Sequence, residues 1–330
     1  MPCKRTQALS IEFNYDISWS GLECRFGCCL FDTSNEHKAI RRKLHTLLPT
    51  DLSVFAEDVP GCLARLFTDP RLRQYVNDCT CPYYQEAGHT YDPWYSVRVS
   101  IDSTCNLHCV HCYLPAKVHH LDELKQRVSL QCYQWLQHHA TLIGTTTVGE
   151  PFYAGEQSYT YQWLNSLQTD DKVAEIYSLS NYSLLTPDML TQLQQHLTSI
   201  GKRLIINASC DSFQRNSYEK IRVGAKFDLV MRNLLVAYEL GLLKNINYVF
   251  MPQNESVTDD IGKQLRTLGF DPRRKPISVE LIPWNTRDRA FFNTVFDAQH
   301  NIINPHFRAG MDSLAEYGFR PHIETVGNVK

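Results

Sequence analysis

Three thiols in one short span, Cys105-Asn-Leu-His-Cys109-Val-His-Cys112, constrain this chain more than any other feature. Spacers of three and then two residues let the sulfurs converge on one small inorganic centre only if the backbone between them curls into a loop. Leu107 is the one clearly apolar residue among the first three spacers, which argues against a helix face. Upstream, Tyr95-Ser-Val-Arg-Val-Ser-Ile101 alternates as a strand does, and Asp102-Ser-Thr104 breaks it, so the loop is expected at a strand end. Three thiolates are one short of the four a structural zinc takes, and zinc sites usually show two paired clusters. A cubane iron–sulfur cluster on three cysteines leaves one iron open. A metal knuckle and three unrelated core cysteines are the competing readings.

The rest of the chain gives that loop a regular setting. Strand-like runs recur at 96–101, 142–148, 175–180, 203–209, 245–250 and 277–282, with helix-like segments between them. Met189, Leu190, Leu193 and Leu197 share one helical face, as do Phe227, Met231, Leu234, Leu235 and Tyr238, with Gly241 placed as a stop. Six strands alternating with helices predict an α/β fold with a mostly parallel sheet, which gathers ligands at the carboxyl ends of its strands.

A strand, then Cys-x3-Cys-x2-Cys, then an aromatic (Tyr113) resembles the radical S-adenosylmethionine (radical SAM) superfamily. The resemblance implies a partial (β/α)6 barrel over 93–286. It also implies a [4Fe-4S] cluster on Cys105, Cys109 and Cys112, whose fourth iron chelates the amino and carboxylate groups of S-adenosylmethionine. The segment ending Val148-Gly149-Glu150-Pro151 is similar to the family's Gly-Gly-Glu-Pro element, which receives the cofactor's ammonium; Val148 replaces the first glycine. Ser180-Asn181-Tyr182 stands where relatives show Thr-Asn-Gly, and Asn181 could tolerate a left-handed backbone or turn its amide toward the site. Ser209-Cys-Asp211 resembles the Ser-x-Asp element that meets the ribose and methionyl part. Arg222 falls where relatives carry an arginine for the cofactor's carboxylate, a pairing suited to two parallel hydrogen bonds. His111 takes the place of an aromatic against the adenine. Cys210, if aimed inward, could donate a hydrogen atom to a substrate radical, although alternation points it into the helix layer with a structural role.

Residues 1–92 form a cysteine-rich N-terminal region to which no fold can be given from sequence. Period-two alternation marks a strand over 11–17, and a helix is expected near 63–76 with a break at Pro70. Cys24, Cys28 and Cys29 with Cys79 and Cys81 could supply an auxiliary cluster or other metal, and buried or surface thiols are the competing reading. No cysteine follows Cys210, so the C-terminal SPASM or twitch extension of many relatives is not expected. Residues 287–330 carry Phe291, Phe292 and Phe296 and read as a short segment closing the barrel. The twelve cysteines, with no apolar stretch behind the N-terminal charges, read as a cytoplasmic chain of reduced thiols. A formal charge of −2 gives no electrostatic case for nucleic-acid or membrane binding.

The resemblance implies reductive cleavage of S-adenosylmethionine to a 5'-deoxyadenosyl radical, with electrons from a flavodoxin or ferredoxin. The cysteine spacing, Ser-x-Asp and Arg222 lean toward a peptide or protein substrate that is oxidised, crosslinked or epimerised. A small metabolite or nucleotide is the alternative substrate, and a non-catalytic iron–sulfur redox sensor is the alternative to an enzyme.

Overall fold

The computed structural model describes residues 8–15, 20–27, 48–70, 96–112, 122–145, 149–284, 289–299 and 301–323. Strands β1 (Ala8–Tyr15) and β2 (Ser20–Gly27) pair antiparallel. Helices α1 (Leu52–Glu57) and α2 (Val59–Thr68) follow, and the side chains of Asp51 and Asp58 each cap one by accepting a first-turn N–H. Helix α2 stops before Pro70, where the sequence places its break, but it starts earlier than expected because Asp58 and Pro60 form its N-terminus.

Next come β3 (Ser96–Ser100), the short β4 (His108–Cys109), α3 (Glu123–Leu136), β5 (Leu142–Gly144), α4 (Tyr159–Ser166), β6 (Glu175–Ser180) and α5 (Pro187–Ser199). Beyond these lie β7 (Arg203–Ser209), α6 (Arg215–Ile221), β8 (Arg222–Val223), α7 (Phe227–Glu239), β9 (Asn245–Phe250), α8 (Glu255–Thr258) and α9 (Ile261–Leu268). The chain continues with β10 (Ser278–Pro283), α10 (Arg289–Val295), α11 (Pro305–Glu316) and β11 (Arg320–Ile323).

Among the described residues nine strands form one sheet in the order β11-β10-β9-β7-β6-β5-β3-β1-β2. Only the β1–β2 pair is antiparallel; every other neighbour runs parallel, as strand–helix alternation predicts. All six expected strands are present, the second only over 142–144, with 146–148 of its expected run outside the described residues. Three others, β1, β2 and β11, were not expected in the sheet. Ile11 of β1 pairs with Val99 of β3, so the N-terminal strand extends the sheet beside the strand that carries the cysteine loop. At the other edge β11 pairs with β10 although it contains Pro321, which an edge strand tolerates because one side needs no donor.

Burial alternates strictly along β6, β9 and β10. Ile176, Ile246, Tyr248, Val279 and Leu281 pack fully on one face, while Tyr177, Asn247 and Glu280 on the other are only half-buried. The C-terminal aromatics fold onto this frame: Phe307 of α11 meets Phe250 and Phe296 edge-on, with centroids 5.1 and 5.7 Å apart. Among the described residues no helix is long and apolar enough to cross a membrane.

Candidate cofactor site

The cysteine loop leaves the carboxyl end of β3 through a tight turn that its own sequence encodes. Asp102 Oδ1 accepts the Thr104 backbone N–H at 2.9 Å and its hydroxyl at 2.7 Å, and Tyr159 donates to Oδ2 at 3.2 Å. At the far end Cys112 N–H donates to Cys109 O at 3.0 Å. Between them β4 pairs antiparallel with β8, which sets Cys109 opposite Arg222.

All three thiols are partly buried. Burial pushes the Cys105 thiol up to about 12, with Glu150 and the other two cysteines adding to the rise. Cys109 is also raised by burial, against the pull of Arg222. Cys105 and Cys109 therefore keep their protons at neutral pH until a metal displaces them. Among the described residues no three Cys, His, Asp or Glu side chains converge as the ligands of a single ion do.

The segment around Gly149 abuts the base of the loop. A Cβ at Gly149 would lie 2.3 Å from Thr104 O and 2.5 Å from Ser103 C, so only glycine fits. The next residue locks the contact, since Glu150 N–H donates to Thr104 O at 2.8 Å. Glu150 is fully buried, and both of its oxygens are engaged. Oε1 accepts from Ser180 Oγ at 2.8 Å and Phe152 N at 3.1 Å, and Oε2 accepts from Asn181 N at 2.7 Å. Burial pushes this carboxyl up to about 7 despite those donors. Glu150 thus ties the end of β6 to the base of the cysteine loop. Val148 lies outside the described residues.

Asn181 does turn its amide toward the cysteines. Its Nδ2 lies 3.8 Å from Cys105 Sγ and donates to Asn106 Oδ1 at 3.1 Å, while its Oδ1 accepts from Ser183 N at 2.9 Å. Asn106 closes the ring by donating to Ser183 Oγ at 2.8 Å. The left-handed conformation falls one residue later, on Tyr182 (φ 60°), where relatives carry glycine. Tyr182 is wholly buried, and its hydroxyl donates to Ile206 O, which compensates the strained backbone.

At the end of β7, Ser209 is half-buried and Asp211 fully buried. Asp211 Oδ1 accepts from Val249 N at 2.9 Å, and its Oδ2 meets Arg222 Nε at 2.7 Å and His111 Nε2 at 3.6 Å. Arg222 is itself buried, and its Nη1 lies 3.9 Å from Cys109 Sγ. Burial lowers the His111 pKa, with Asp211 opposing and Arg222 reinforcing, so the imidazole is neutral. Its Nδ1 is buried without a hydrogen-bond partner among the described residues. Cys210 is fully buried and donates to Ser212 O at 3.3 Å; burial pushes its thiol up to about 12, with Arg222 opposing and Asp211 reinforcing the rise. Cys24 lies in β2, while Cys28, Cys29, Cys79 and Cys81 fall outside the described residues.

The structure therefore brings Cys105, Cys109, Cys112, His111, Gly149, Glu150, Asn181, Ser209, Asp211 and Arg222 to one edge of the sheet. Sequence reasoning passed over Asp102, Asn106 and Asn254. Asp102-x-Thr104 is a legible Asx-turn signal. Asn106 and Asn254 carry none, since the partners that tie them to the site, Asn181, Ser183 and the Asp211 carbonyl, come from distant segments.

No protein-family model matches the chain. It is 26% identical over 179 residues to a probable GTP 3',8-cyclase of Methanococcus aeolicus, a match covering 53% of this chain and 56% of that protein. The chain thus spans a little over half the length of the curated relative it matches. Among solved structures it is similar to Streptococcus suis SuiB, with 12% identity, a TM-score of 0.44, and coverage of 68% of this chain and 48% of that one. AdoMet-bound anSMEcpe aligns at 14% identity and a TM-score of 0.46, over 68% of this chain and 62% of that one. A radical SAM methyltransferase of Sphaerobacter thermophilus aligns at 15% and 0.40, over 68% and 64%.

Proposed function

We propose that this chain is a radical SAM enzyme that binds a [4Fe-4S] cluster through Cys105, Cys109 and Cys112 and cleaves S-adenosylmethionine reductively. The observation that carries the reading is the convergence, at the carboxyl ends of parallel strands, of the three thiols with Gly149-Glu150, Asn181 and Arg222. When bound, the cluster and cofactor would supply one electron to the sulfonium and a 5'-deoxyadenosyl radical that takes hydrogen from the substrate. A flavodoxin or ferredoxin would deliver the electron.

The polypeptide's part is to place and shield these groups. The turn at Asp102 aims the loop, and Glu150 fixes the end of β6 against it. Glu150 Oε1 already accepts two donors and Oε2 one, so the cofactor's ammonium would share the remaining acceptor site with backbone carbonyls near Gly149. Ser209 remains accessible for the ribose and methionyl part, and neutral His111 offers a ring face to the adenine. A hydrogen-donor role for Cys210 would require its thiol to leave the Ser212 carbonyl and the packed layer.

For the substrate, the peptide or protein class is favoured by the cysteine spacing, Ser-x-Asp and Arg222. The half-open sheet face fits a polar group: Asn207 donates to Tyr177 Oη at 2.6 Å, and Asn245 Nδ2 to Asn247 Oδ1 at 2.6 Å and Glu280 Oε2 at 3.4 Å. Parallel strands are usually apolar on both faces, so such a hydrogen-bonded row marks a surface meant to be wet or liganded. The similarity to a probable GTP 3',8-cyclase favours a nucleotide as the second reading.

The test is 5'-deoxyadenosine release by the anaerobically reconstituted, reduced chain. Stimulation by a peptide fraction and not by nucleoside triphosphates is expected. Stimulation by GTP alone would move the substrate to the nucleotide class. No cleavage under strong reductant would favour the redox-sensor alternative.

A further inference from the structure

The buried pair of Asp211 and Arg222 poses a question that cofactor binding alone does not answer. An arginine kept for a small-molecule carboxylate would present its planar fork to open space. Here Nε forms an ion pair with Asp211 Oδ2 at 2.7 Å, without the alignment of a hydrogen bond, and Nη1 faces the Cys109 sulfur at 3.9 Å. The backbone enforces the second contact, because Arg222 is the β8 residue paired with Cys109 of β4, and Val110 N–H donates to Ile221 O at 2.9 Å. Asp211 cannot drift either: Val249 N–H donates to its Oδ1, and Asn254 Nδ2 donates to its carbonyl at 2.7 Å.

We infer that Arg222, clamped by Asp211, is the positioning residue through which the protein sets the reduction potential of the centre on Cys105, Cys109 and Cys112, by donating an N–H to the Cys109 sulfur. The inference rests on the cluster reading above and goes beyond it. Hydrogen bonds to cluster sulfurs and the net charge around them are the protein's main levers on potential. A guanidinium brings both, and in a buried site its charge acts at reduced dielectric. The cation favours the reduced, more negative cluster, while the Asp211 carboxylate, one bond further away, opposes it. Asn181 Nδ2 makes the equivalent contact to Cys105 at 3.8 Å without a charge, which leaves Arg222 the stronger lever.

The test is an EPR-monitored redox titration of the full-length reconstituted protein without S-adenosylmethionine, comparing wild type with Arg222→Met and Asp211→Asn. Arg222→Met should move the midpoint to more negative potential by a tenfold change in the reduction equilibrium, about 59 mV for one electron. Asp211→Asn should move it the opposite way. Opposed signs cannot come from loosened packing, which would shift both variants alike. If Arg222→Met does not assemble a cluster, Arg222→Lys carries the test, because an ammonium keeps the charge but cannot reach Asp211 and the sulfur together. A smaller negative shift is expected for it.

Unmoved potentials, or shifts of one sign, would overturn the inference. So would an unmoved potential with weakened S-adenosylmethionine binding, which would assign Arg222 to the cofactor's carboxylate. A wild-type chain with no cubane signal would instead end the underlying reading.

Discussion

Gly149→Ala should cost the chain its cluster. The added methyl would sit 2.3 Å from Thr104 O and 2.5 Å from Ser103 C, both backbone atoms at the root of the cysteine loop, so no side chain can swing aside. Relief requires the two segments to part, which breaks the 2.8 Å bond from Glu150 N–H to Thr104 O. Overpacking of this kind typically costs about 1–3 kcal/mol, and the lost hydrogen bond about another 1. The strain falls where the loop must be exact to the ångström, so iron content should suffer more than folding. Iron per chain after anaerobic reconstitution, measured with the thermal midpoint, checks this. Wild-type iron in the alanine variant would show that the approach of Gly149 to the loop does not position the thiols.

Glu150 carries the second large effect, and it depends on pH. Its carboxyl is raised from an ordinary 4.5 to about 7, chiefly by burial. An acid with a raised folded pKa stabilises the fold fully below its unfolded value, and that contribution fades as pH rises through the folded one. Across that window the unfolded chain has released the proton and the folded chain has not, so stability should fall by up to about 3 kcal/mol. Glu150→Gln should flatten that slope in urea unfolding at a series of pH values. Glu150→Ala should do worse at every pH, because Ser180 Oγ, Asn181 N and Phe152 N would lose their buried acceptor. Each orphaned group costs about 1–3 kcal/mol. An alanine variant as stable as wild type would remove the brace from the account.

Much of the frame was legible because the strands that matter are short apolar runs bounded by turn residues. The runs at 175–180, 203–209 and 245–250 appear with those bounds as β6, β7 and β9. The edges were not legible. Pro321 argues locally against a strand, and β11 forms because β10 offers a free parallel edge. Likewise β1 reads as a strand from its alternation, but nothing in it names β3 as its neighbour.

Within the site, residue types were legible where chemistry fixes them, as with the thiols and Gly149, and partners were not. The resemblance to radical SAM proteins implies a cofactor carboxylate for Arg222 and an ammonium for Glu150, whereas the folded chain engages the first with Asp211 and Cys109 and the second with Ser180, Asn181 and Phe152. Both engagements join segments far apart in the chain, and local pattern carries no record of such pairings. The left-handed turn shows the same limit. After glycine, asparagine is the residue most favoured in that conformation, yet it falls on Tyr182, whose buried hydroxyl finds Ile206 O across the sheet.

The central claim is that Cys105, Cys109 and Cys112 hold a cubane cluster with one iron left for S-adenosylmethionine. Mössbauer and metal analysis of the anaerobically reconstituted full chain, beside the C105A/C109A/C112A variant, tests it most directly. The account predicts about four irons per chain in one cubane whose spectrum changes when S-adenosylmethionine is added, and little iron in the triple variant. One zinc per chain, or a cubane that survives loss of all three cysteines and accounts for all the iron, would contradict it.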